Sequence, residues 1–377
     1  MNVKTGVWPP PKMPIDEMRS TLRPEQDRDA VGQAAVARAG KRPTLEDVAA
    51  RAGVSRALVS LVIRAVPGAS AQTRDRVLQA AAEIGYRPDA RARLLARNRS
   101  RLLGVVYDVR HAFHAELVDG LYAAAERAGY ELFLSGLTPS RDDMHALETI
   151  LDFRCEALIL LGPETPTPSL AGRLPVVVVG WRVREPSVDV VRTADDLGLR
   201  QAVDHLVGLG HQEIIHIDGG PGPVSAARRR GYRTAMRRHG LGECIRIIPG
   251  GQTEEAGATA ARLLLAEGSL PTAIIAYNDD SALGLFDSFI RASVAVPDDV
   301  SIVGYDDSWL SRLSNINLTT VGQDAQHMAD LAVDRAIARV EGHVADGEIV
   351  LPPYLVVRGT TAAPAKRAVP LRRAAVG

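Results

Sequence analysis

The sequence of 377 residues contains 45 Lys and Arg, 45 Asp and Glu, and two cysteines, and 46% of it is hydrophobic. This length predicts about two or three domains, and the cysteine count excludes a disulfide scaffold and a cysteine-rich zinc site. A net charge of zero, taken alone, argues against nucleic-acid binding. The distribution of the charges argues for it. Residues 41–101 contain 13 Lys and Arg against 5 Asp and Glu, whereas residues 102–360 have a net charge of −13, so a basic segment that can meet a polyanion is joined to an acidic body.

The two ends of the chain lack the periodicity of helices and strands. Residues 1–41 are interpreted as a disordered arm, or as sequence translated from an upstream start, and residues 361–377 as a flexible basic tail. The N-terminus has no apolar signal segment, and no apolar run approaches the roughly 20 residues that cross a bilayer. Together with two cysteines that have no evident partner, these features predict a cytoplasmic protein that does not bind membranes.

Residues 42–88 have the pattern of a small helical domain. Thr44 precedes an apolar-periodic stretch and Asp47 follows three residues later, a capping-box variant that predicts the start of a first helix. Gly53 predicts a tight turn, Ser55 a second helix and Ser70 a third. The predicted apolar faces contain Leu45, Val48 and Ala49, then Leu58, Val59 and Val62, then Val77, Leu78, Ala81 and Ile84. Two short helices joined by a turn with glycine at its centre are typical of a helix-turn-helix.

A three-helix bundle that contacts another protein is the alternative interpretation of this pattern. Arg56 and Arg64 lie on the free face that is predicted for the second helix. A free basic face on the second helix is what entry into the major groove of DNA requires. The charge therefore favours DNA binding.

Three segments of this domain stand in a specific order and spacing: TLEDVAARAGVSRALVS from Thr44, SAQTRDRV from Ser70 and IGYRPD from Ile84. They resemble the N-terminus of the LacI/GalR family of transcription regulators. The resemblance implies that the domain contacts DNA through Leu45, Ser55, Arg56, Ala57, Ser60, Leu61, Arg64, Ser70 and Thr73. Leu61 and Arg64 depart from the Arg and Asn that are usual there, and Leu61 can offer only apolar contact, for example to a thymine methyl group. The operator sequence therefore cannot be carried over from the family.

Residues 89–101 follow a proline and are rich in helix-forming residues. Taken alone they predict a charged linker, because so short a helix is marginal in water. The resemblance implies a hinge that becomes helical on DNA. It implies that Leu95 enters the minor groove as a wedge that kinks the duplex, with Ala92 and Arg93 beside it.

From residue 102 onward, short apolar runs alternate with amphipathic stretches. The predicted strands are Leu102–Tyr107, Glu131–Ser135, Ala157–Leu161, Val176–Val179, Ile214–Asp218, Thr272–Tyr277 and Val300–Tyr305. The predicted helices are 113–128, 142–152, 196–208, 224–238, 253–266, 279–291 and 323–341. This alternation predicts parallel sheets covered on both faces, and residues 102–360 are long enough for two lobes with a ligand cleft between them.

The resemblance extends through this body, in segments such as HLVGLGH from His205, RRRGY from Arg228 and VSIVGYDD from Val300. It implies an α+β protein overall: a helix-turn-helix domain and hinge helix joined to a two-lobed α/β body like type I periplasmic binding proteins, with three crossovers. By position it implies an effector site of Phe113, His114, Arg228, Gln252, Asn278, Asp279, Asp306 and Gln323. Gln252 stands where many sugar-binding members have Trp or Phe, which weakens the expectation of a stacked hexose.

The sequence contains no support for an enzyme, a cofactor or a metal site. It has no glycine-rich loop followed by Lys-Ser/Thr. Its His111–His114 pair lacks the further ligands of a zinc site, and its Asp-Asp pairs have no matched base or nucleophile.

We therefore expect a sequence-specific transcription regulator, a repressor, that binds double-stranded operator DNA as a homodimer or higher even oligomer. Its operator affinity is expected to respond to a small-molecule effector, a sugar or related metabolite, bound between the lobes. A solute-binding protein with the same body is the alternative, but it would need a signal peptide and would lack the basic segment. A sugar-metabolising enzyme that also regulates is a second alternative, and turnover of ligand would reveal it.

Overall fold

The computed structural model describes residues 43–64, 66–86, 99–162, 173–343 and 347–365. The chain divides into two compact units, Met1–Arg97 and Asn98–Gly377. The predicted N-terminal arm lies outside the described residues, and so do the hinge residues Ala92, Arg93 and Leu95. No helix in the described ranges is long and apolar enough to cross a membrane.

The N-terminal unit contains three helices whose starts are capped by side chains. They are α1 (Leu45–Ala52), α2 (Arg56–Ile63) and α3 (Ala71–Glu83). Thr44 and Asp47 form the predicted capping box, and Gly53 ends α1 with a left-handed φ of 63°. Ser55 and Ser70 accept hydrogen bonds from backbone amides in the first turns of α2 and α3. The predicted helix-turn-helix is confirmed.

A small apolar core joins these three helices. Its buried members are Val48, Ala49, Ala52, Val59, Val62, Val77, Ala80 and Ala81. Leu78 is 48% exposed, so its predicted place on the apolar side of α3 is wrong. Val77, Ala80 and Ala81 define the buried stripe of α3, and one residue further along a helix turns a side chain by about 100° away from such a stripe.

The second unit alternates strands and helices. Its strands are β1 (Leu102–Asp108), β2 (Glu131–Leu137), β3 (Ala157–Leu161), β4 (Val176–Val179), β5 (Val188–Thr193), β6 (Ile214–Ile217), β7 (Arg246–Ile248), β8 (Ala273–Ile275), β9 (Ser301–Asp306), β10 (Thr319–Gly322), β11 (Glu348–Leu351) and β12 (Tyr354–Val356). Its helices are α4 (Ala112–Arg127), α5 (Asp143–Asp152), α6 (Asp195–Gly208), α7 (Pro223–Arg238), α8 (Glu254–Ala266), α9 (Asp279–Arg291) and α10 (Ala325–Val340). Short 3-10 turns lie at Gly242–Cys244 and Trp309–Arg312.

Two six-stranded sheets define two lobes. The first lobe has the strand order β11-β5-β4-β3-β1-β2, and its strand pairs are parallel. The second lobe has the order β12-β10-β9-β8-β6-β7, and β12 is antiparallel to β10. Strands β3 and β4 are fully buried runs of apolar residues, as sheets covered by helices on both faces require.

The chain passes between the two lobes three times. It crosses between β5 and α6, between β10 and α10, and between β11 and β12. Leu199 and Leu206 of α6 pack in the core of the second lobe, whereas Met328 and Val333 of α10 pack in the core of the first. The expected two-lobed body with three crossovers is confirmed.

Residues 361–365, which the sequence assigned to the tail, contact the body. His205 Nε2 lies 3.0 Å from Thr361 Oγ1, and His211 Nε2 lies 2.8 Å from the carbonyl oxygen of Ala362. These contacts attach the residues after β12 to α6 and to the loop between α6 and β6. The remainder of the predicted tail lies outside the described residues.

Candidate DNA-binding surface and effector cavity

Two of the arginines that the sequence assigned to DNA lie at the two ends of α2: Arg56 is its first residue, and Arg64 directly follows its last. Arg56 and Arg64 are both exposed. Arg56 Nε forms an ion pair of 2.7 Å with Glu46 of α1, and both side chains are more than half exposed. Such an exposed pair is worth less than about 1 kcal/mol, so a phosphate or a base edge can replace Glu46 at little cost.

The other predicted DNA-facing residues of this unit surround α2, and several also stabilise the fold. Ala57 is exposed, and Ser60 is half-buried. Leu61 is half-buried, and a Cβ placed on Gly68 would lie 3.2 Å from its side chain. Gly68 has a positive φ of 132°, which favours glycine, and its lack of a Cβ lets this turn pack against the Leu61 side chain.

Capping occupies part of the hydrogen-bonding capacity of the remaining residues. Ser55 Oγ accepts from the Leu58 amide at 3.2 Å, and Ser70 Oγ lies 2.9 Å from Thr73 Oγ1. Leu45 packs against the small core of the unit. Ser55 and Ser70 are therefore held in fixed positions at the starts of α2 and α3.

A cavity of about 980 Å³ lies between the lobes of the second unit, at the carboxyl ends of strands from both sheets. This is where open parallel sheets bind ligands, and the volume is at the upper end of the range of about 300–1,000 Å³ for small-molecule sites. The predicted effector residues that line it are Phe113, His114, Arg228, Gln252, Asn278, Asp306 and Gln323. Asp279 is absent from the lining.

Arg228 on α7 is a buried cation that contacts several parts of the second lobe. Its Nε donates to Asp195 Oδ1 at 2.9 Å, and its Nη1 donates to the Tyr277 carbonyl at 2.5 Å. The guanidinium carbon lies 3.6 Å from the ring centroid of Tyr305, a cation–π contact. Since Arg228 is only 4% exposed, these contacts fix its position before any ligand binds.

Asp306 ends β9 and lies beside Arg228 in the cavity wall. Its Oδ1 accepts from Gln323 Nε2 at 2.8 Å and lies 3.7 Å from Arg228 Nη2. Burial raises the pKa of Asp306 well above its usual value, the negative charge of nearby Asp279 raises it further, and Arg228 opposes both effects. The side chain presents carboxyl oxygens beside an amide and a guanidinium, a set suited to a ligand with several hydroxyl groups.

Asp279 supports the loop after β9 instead of contacting the cavity. Its Oδ1 accepts from Thr320 Oγ1 at 2.6 Å, and its Oδ2 accepts from the Ser308 amide at 2.8 Å and the Ser308 hydroxyl at 2.9 Å. The side chain is fully buried. The prediction that Asp279 belongs to the effector site is therefore not supported by its position, because its first place on α9 turns it away from the cavity.

Asn278 and Gln252 are joined by a hydrogen bond at the cavity wall. Asn278 caps α9 through its side-chain oxygen, 2.9 Å from the Ser281 amide, and its Nδ2 donates to the Gln252 carbonyl at 2.9 Å. Gln252 and His111 of the opposite lobe both line the cavity. At the position where many sugar-binding members have an aromatic ring, the cavity of this chain therefore has an amide residue.

Phe113 and His114 form the part of the wall contributed by α4. Phe113 is 8% exposed and belongs to the core of the first lobe. His114 Nδ1 lies 3.2 Å from the Asp108 amide nitrogen. Burial and the proximity of His111 lower the pKa of His114 to about 3, so its imidazole is neutral at physiological pH.

Comparisons with known proteins give the family of the chain. Residues 44–89 match the model of bacterial regulatory proteins of the lacI family, and residues 203–361 match that of the periplasmic binding protein-like domain. The ribose operon repressor of Escherichia coli (strain K12) is 32% identical over 328 residues, which cover 84% of this chain and 99% of the repressor. The chain belongs to the lacI family. It is a DNA-binding transcription regulator.

Solved structures of lacI-family proteins agree with this assignment. A LacI transcriptional regulator from Rhodococcus species is 45% identical, with a TM-score of 0.68, and the match covers 70% of this chain and 100% of that one. A lac repressor dimer bound to operator and the anti-inducer ONPF is 31% identical, with a TM-score of 0.74, over 86% of this chain and 100% of that one. The two-lobed body is therefore the fold of this family.

The lacI-family resemblance, used residue by residue, missed part of the cavity lining. The additional residues include Asp108, Arg110, His111, Arg141, Asp142, His145, Trp181, Asp195, Ser225 and Tyr277. Several of them directly follow or end β1, β2, β4 and β8, so the carboxyl ends of the predicted strands were a usable signal. Asp195 had no such signal, because the strand that it follows, β5, was not among the predicted strands, and its partner Arg228 lies 33 residues away. In the described ranges, no group of three or more His, Cys, Asp or Glu residues could hold a metal ion.

Proposed function

We propose that this regulator is a repressor that binds its operator as a homodimer or higher even oligomer and responds to a sugar or related metabolite in the interlobe cavity. The observation that carries the proposal is the set formed by the buried Arg228 of α7, the buried Asp306 at the end of β9 and the half-buried Gln323 just after β10. Fixed donors and acceptors of this kind suit hydroxyl groups. The related lac repressor dimer, with operator and anti-inducer bound together, supports the same arrangement for this chain.

For the DNA contact, we propose that α2 enters the major groove. Its Ser55, Arg56, Ala57, Ser60, Leu61 and Arg64 would meet base edges, while Leu45, Ser70 and Thr73 would anchor the unit to phosphates. Leu95, with Ala92 and Arg93, would form the minor-groove contact of the hinge. Two copies are needed because a two-fold operator presents two half-sites.

The proposed role includes no catalysis, since the relatives are repressors and the lining supplies binding groups rather than a nucleophile with an oriented base. A cytoplasmic location goes with the proposal because the operator DNA is found there. Phe113, His114, Gln252 and Asn278 would complete the effector site.

Selection of operator sequences from a random duplex pool tests this function. The full chain is expected to enrich a two-fold symmetric sequence and to bind it at least 1,000-fold more tightly than unrelated DNA, a ratio typical of specific regulators. One member of a panel of sugars and metabolites should then change that affinity. Enrichment of no sequence, or turnover of the added compound, would contradict the proposal.

A further inference from the structure

A second group of cavity residues comes only from the first lobe. It includes Arg141 in the turn after β2, His145 in the first turn of α5, and Trp181 just after β4. We refer to these three residues as the β2–β4 wall. None of them belongs to the effector residues predicted from the sequence, and the inference below rests on the proposed effector-binding function of the cavity.

The charge of Arg141 distinguishes this wall from the remainder of the cavity. Arg110 Nη2 lies 2.7 Å from Asp108 Oδ2, and Arg228 Nε lies 2.9 Å from Asp195 Oδ1. Among the side chains that the structure describes, no carboxylate lies within 4.0 Å of Arg141, whose hydrogen bonds go to neutral oxygen atoms. Of these three arginines in the lining, Arg141 is thus the one that no described carboxylate pairs with.

Neutral oxygen atoms hold the Arg141 guanidinium in place. Its Nη2 donates to Ser135 Oγ at 3.0 Å and to Thr149 Oγ1 at 2.9 Å, and its Nη1 donates to the Gly136 carbonyl at 3.3 Å. A guanidinium has five N–H donors, so this arrangement fixes the group and leaves donors for a ligand. Because the side chain is already ordered, binding an anion costs little additional conformational entropy.

The turn that carries Arg141 is itself well ordered. Thr138 and Arg141 exchange two backbone hydrogen bonds of 3.2 and 3.0 Å. The nearest acidic neighbour in sequence, Asp142, caps α5, where its Oδ1 accepts from the His145 amide at 3.0 Å. The carboxylate is therefore directed at the helix start, where it interacts favourably with the helix dipole.

Trp181 gives the wall an apolar component. It is half-buried, packs on the apolar cluster behind β4 and also lines the cavity. The cavity of about 980 Å³ is large enough for a compound that extends from Arg228 to this wall. Its far end would meet a fixed cation, and Trp181 would add apolar contact elsewhere along the same wall.

From this geometry, we propose that the β2–β4 wall is an anion subsite and that the effector is a polyhydroxylated compound carrying a carboxylate or a phosphate. Arg141 binds the anionic group, and the hydroxyl groups meet Arg228, Asp306 and Gln323. A planar guanidinium matches both anions in a bidentate geometry. An uncharged sugar would leave the charge of Arg141 unused.

Thermal-shift measurements on the full chain, followed by calorimetric titration, test this proposal. The probes are glucose 6-phosphate, ribose 5-phosphate, glucuronate and gluconate, each compared with glucose or ribose. At least one anionic probe is expected to bind tenfold or more tightly than its uncharged parent, because a hydrogen bond between two charged groups is stronger than one between neutral groups. A phosphate preference and a carboxylate preference are distinguished by which probes bind.

Arg141→Met is expected to remove that tenfold advantage, whereas Arg238→Met, at an exposed position outside the cavity lining, should retain it. Thermal denaturation without ligand shows whether Arg141→Met is folded, and Arg141→Lys, which keeps the charge, should restore part of the advantage for phosphate. Equal binding of the uncharged parents, binding of none of the anionic probes, or an unchanged advantage in Arg141→Met would overturn the anion subsite. The proposed function would stand in each of these cases if the chain still bound a selected operator.

Discussion

Glu116 on α4 and Arg312 in the turn after β9 form an ion pair that joins the two lobes. Arg312 also donates to the Asp307 carbonyl at 2.8 Å, and Asp307 directly follows the cavity residue Asp306. Both aspartates have left-handed backbone conformations, with φ of 112° and 53°, which cost free energy for residues other than glycine. Through Arg312, the residue that directly follows Asp306 is thus connected to Glu116 of the opposite lobe.

The two lobes also meet around the first turns of α4. His111, which directly precedes α4, lines the cavity together with Gln252 of the second lobe. Phe113 and His114, in the same turns, line the cavity. A ligand that changes the distance between the lobes must therefore change these contacts, so α4 is well placed to sense occupancy.

The ion pair should have a measurable coupling energy. In a double-mutant cycle with Glu116→Gln and Arg312→Met, we expect about 0.5–1 kcal/mol in the free energy of unfolding at low salt, because both side chains are partly exposed. The coupling should decrease at high salt. The Asp287–Arg291 pair, which lies within α9 and does not join the lobes, is the control for an ion pair inside one helix. A cycle that gave no coupling for Glu116 and Arg312 would show that the pair does not stabilise the interlobe contact.

Asp280 should make stability depend on pH. Burial raises its pKa from 3.8 to about 6, so the ionised form destabilises the folded state above pH 6, and the penalty disappears below pH 4. Asp280→Asn is therefore expected to raise the free energy of unfolding by about 1–3 kcal/mol at pH 7.5 and to have little effect near pH 4. Urea denaturation at several pH values measures this difference. Asp287→Asn, at an exposed position, should show no such gain; a loss of stability in Asp280→Asn at pH 7.5 would contradict the prediction.

Gly257 allows α8 and α9 to pack closely. A Cβ at Gly257 would lie 1.9 Å from the Ser281 carbonyl oxygen, whereas a Cβ at Gly208, in the last turn of α6, would meet no atom within 4 Å. Gly257→Ala should therefore lower the free energy of unfolding by about 1–3 kcal/mol through overpacking. Gly208→Ala should raise it slightly because alanine is the better helix former. Thermal denaturation checks both, and equal effects of the two variants would be inconsistent with this packing.

Local signals in the sequence predicted much of this structure, and long-range partners account for what they missed. Thr44, Ser55 and Ser70 cap their helices as expected, because a cap depends on residues three positions away. Strand β5 was missed because Asp189 and Arg192 interrupt its apolar run. Each has its partner about 150 residues away: Arg339 lies 2.8 Å from Asp189, and Glu348 lies 2.6 Å from Arg192.

The candidate site shows the same difference between what local sequence signals predict and what depends on long-range contacts. Arg228 and Asp306 could be placed by position in a known pattern, but the pattern does not show where each side chain points. Asp279 follows Asn278 directly, yet one lines the cavity and the other supports the loop at Ser308. Trp181 follows the predicted strand β4 by two residues, but the residue-by-residue resemblance considered a stacking ring only at position 252, which is Gln here.

Asp306→Ala should separate ligand binding from DNA binding. The substitution removes the carboxyl group that accepts from Gln323 at 2.8 Å and faces Arg228, so the effector affinity is expected to fall at least tenfold. The N-terminal unit is unchanged, and the affinity for a selected operator without effector should stay within about twofold of the wild type. Fluorescence anisotropy with labelled operator, with and without the most stabilising compound of the panel, measures both quantities. Asp204→Ala, at a partly exposed position outside the cavity lining, should retain the full response, and a full response in Asp306→Ala would remove this residue from the effector site.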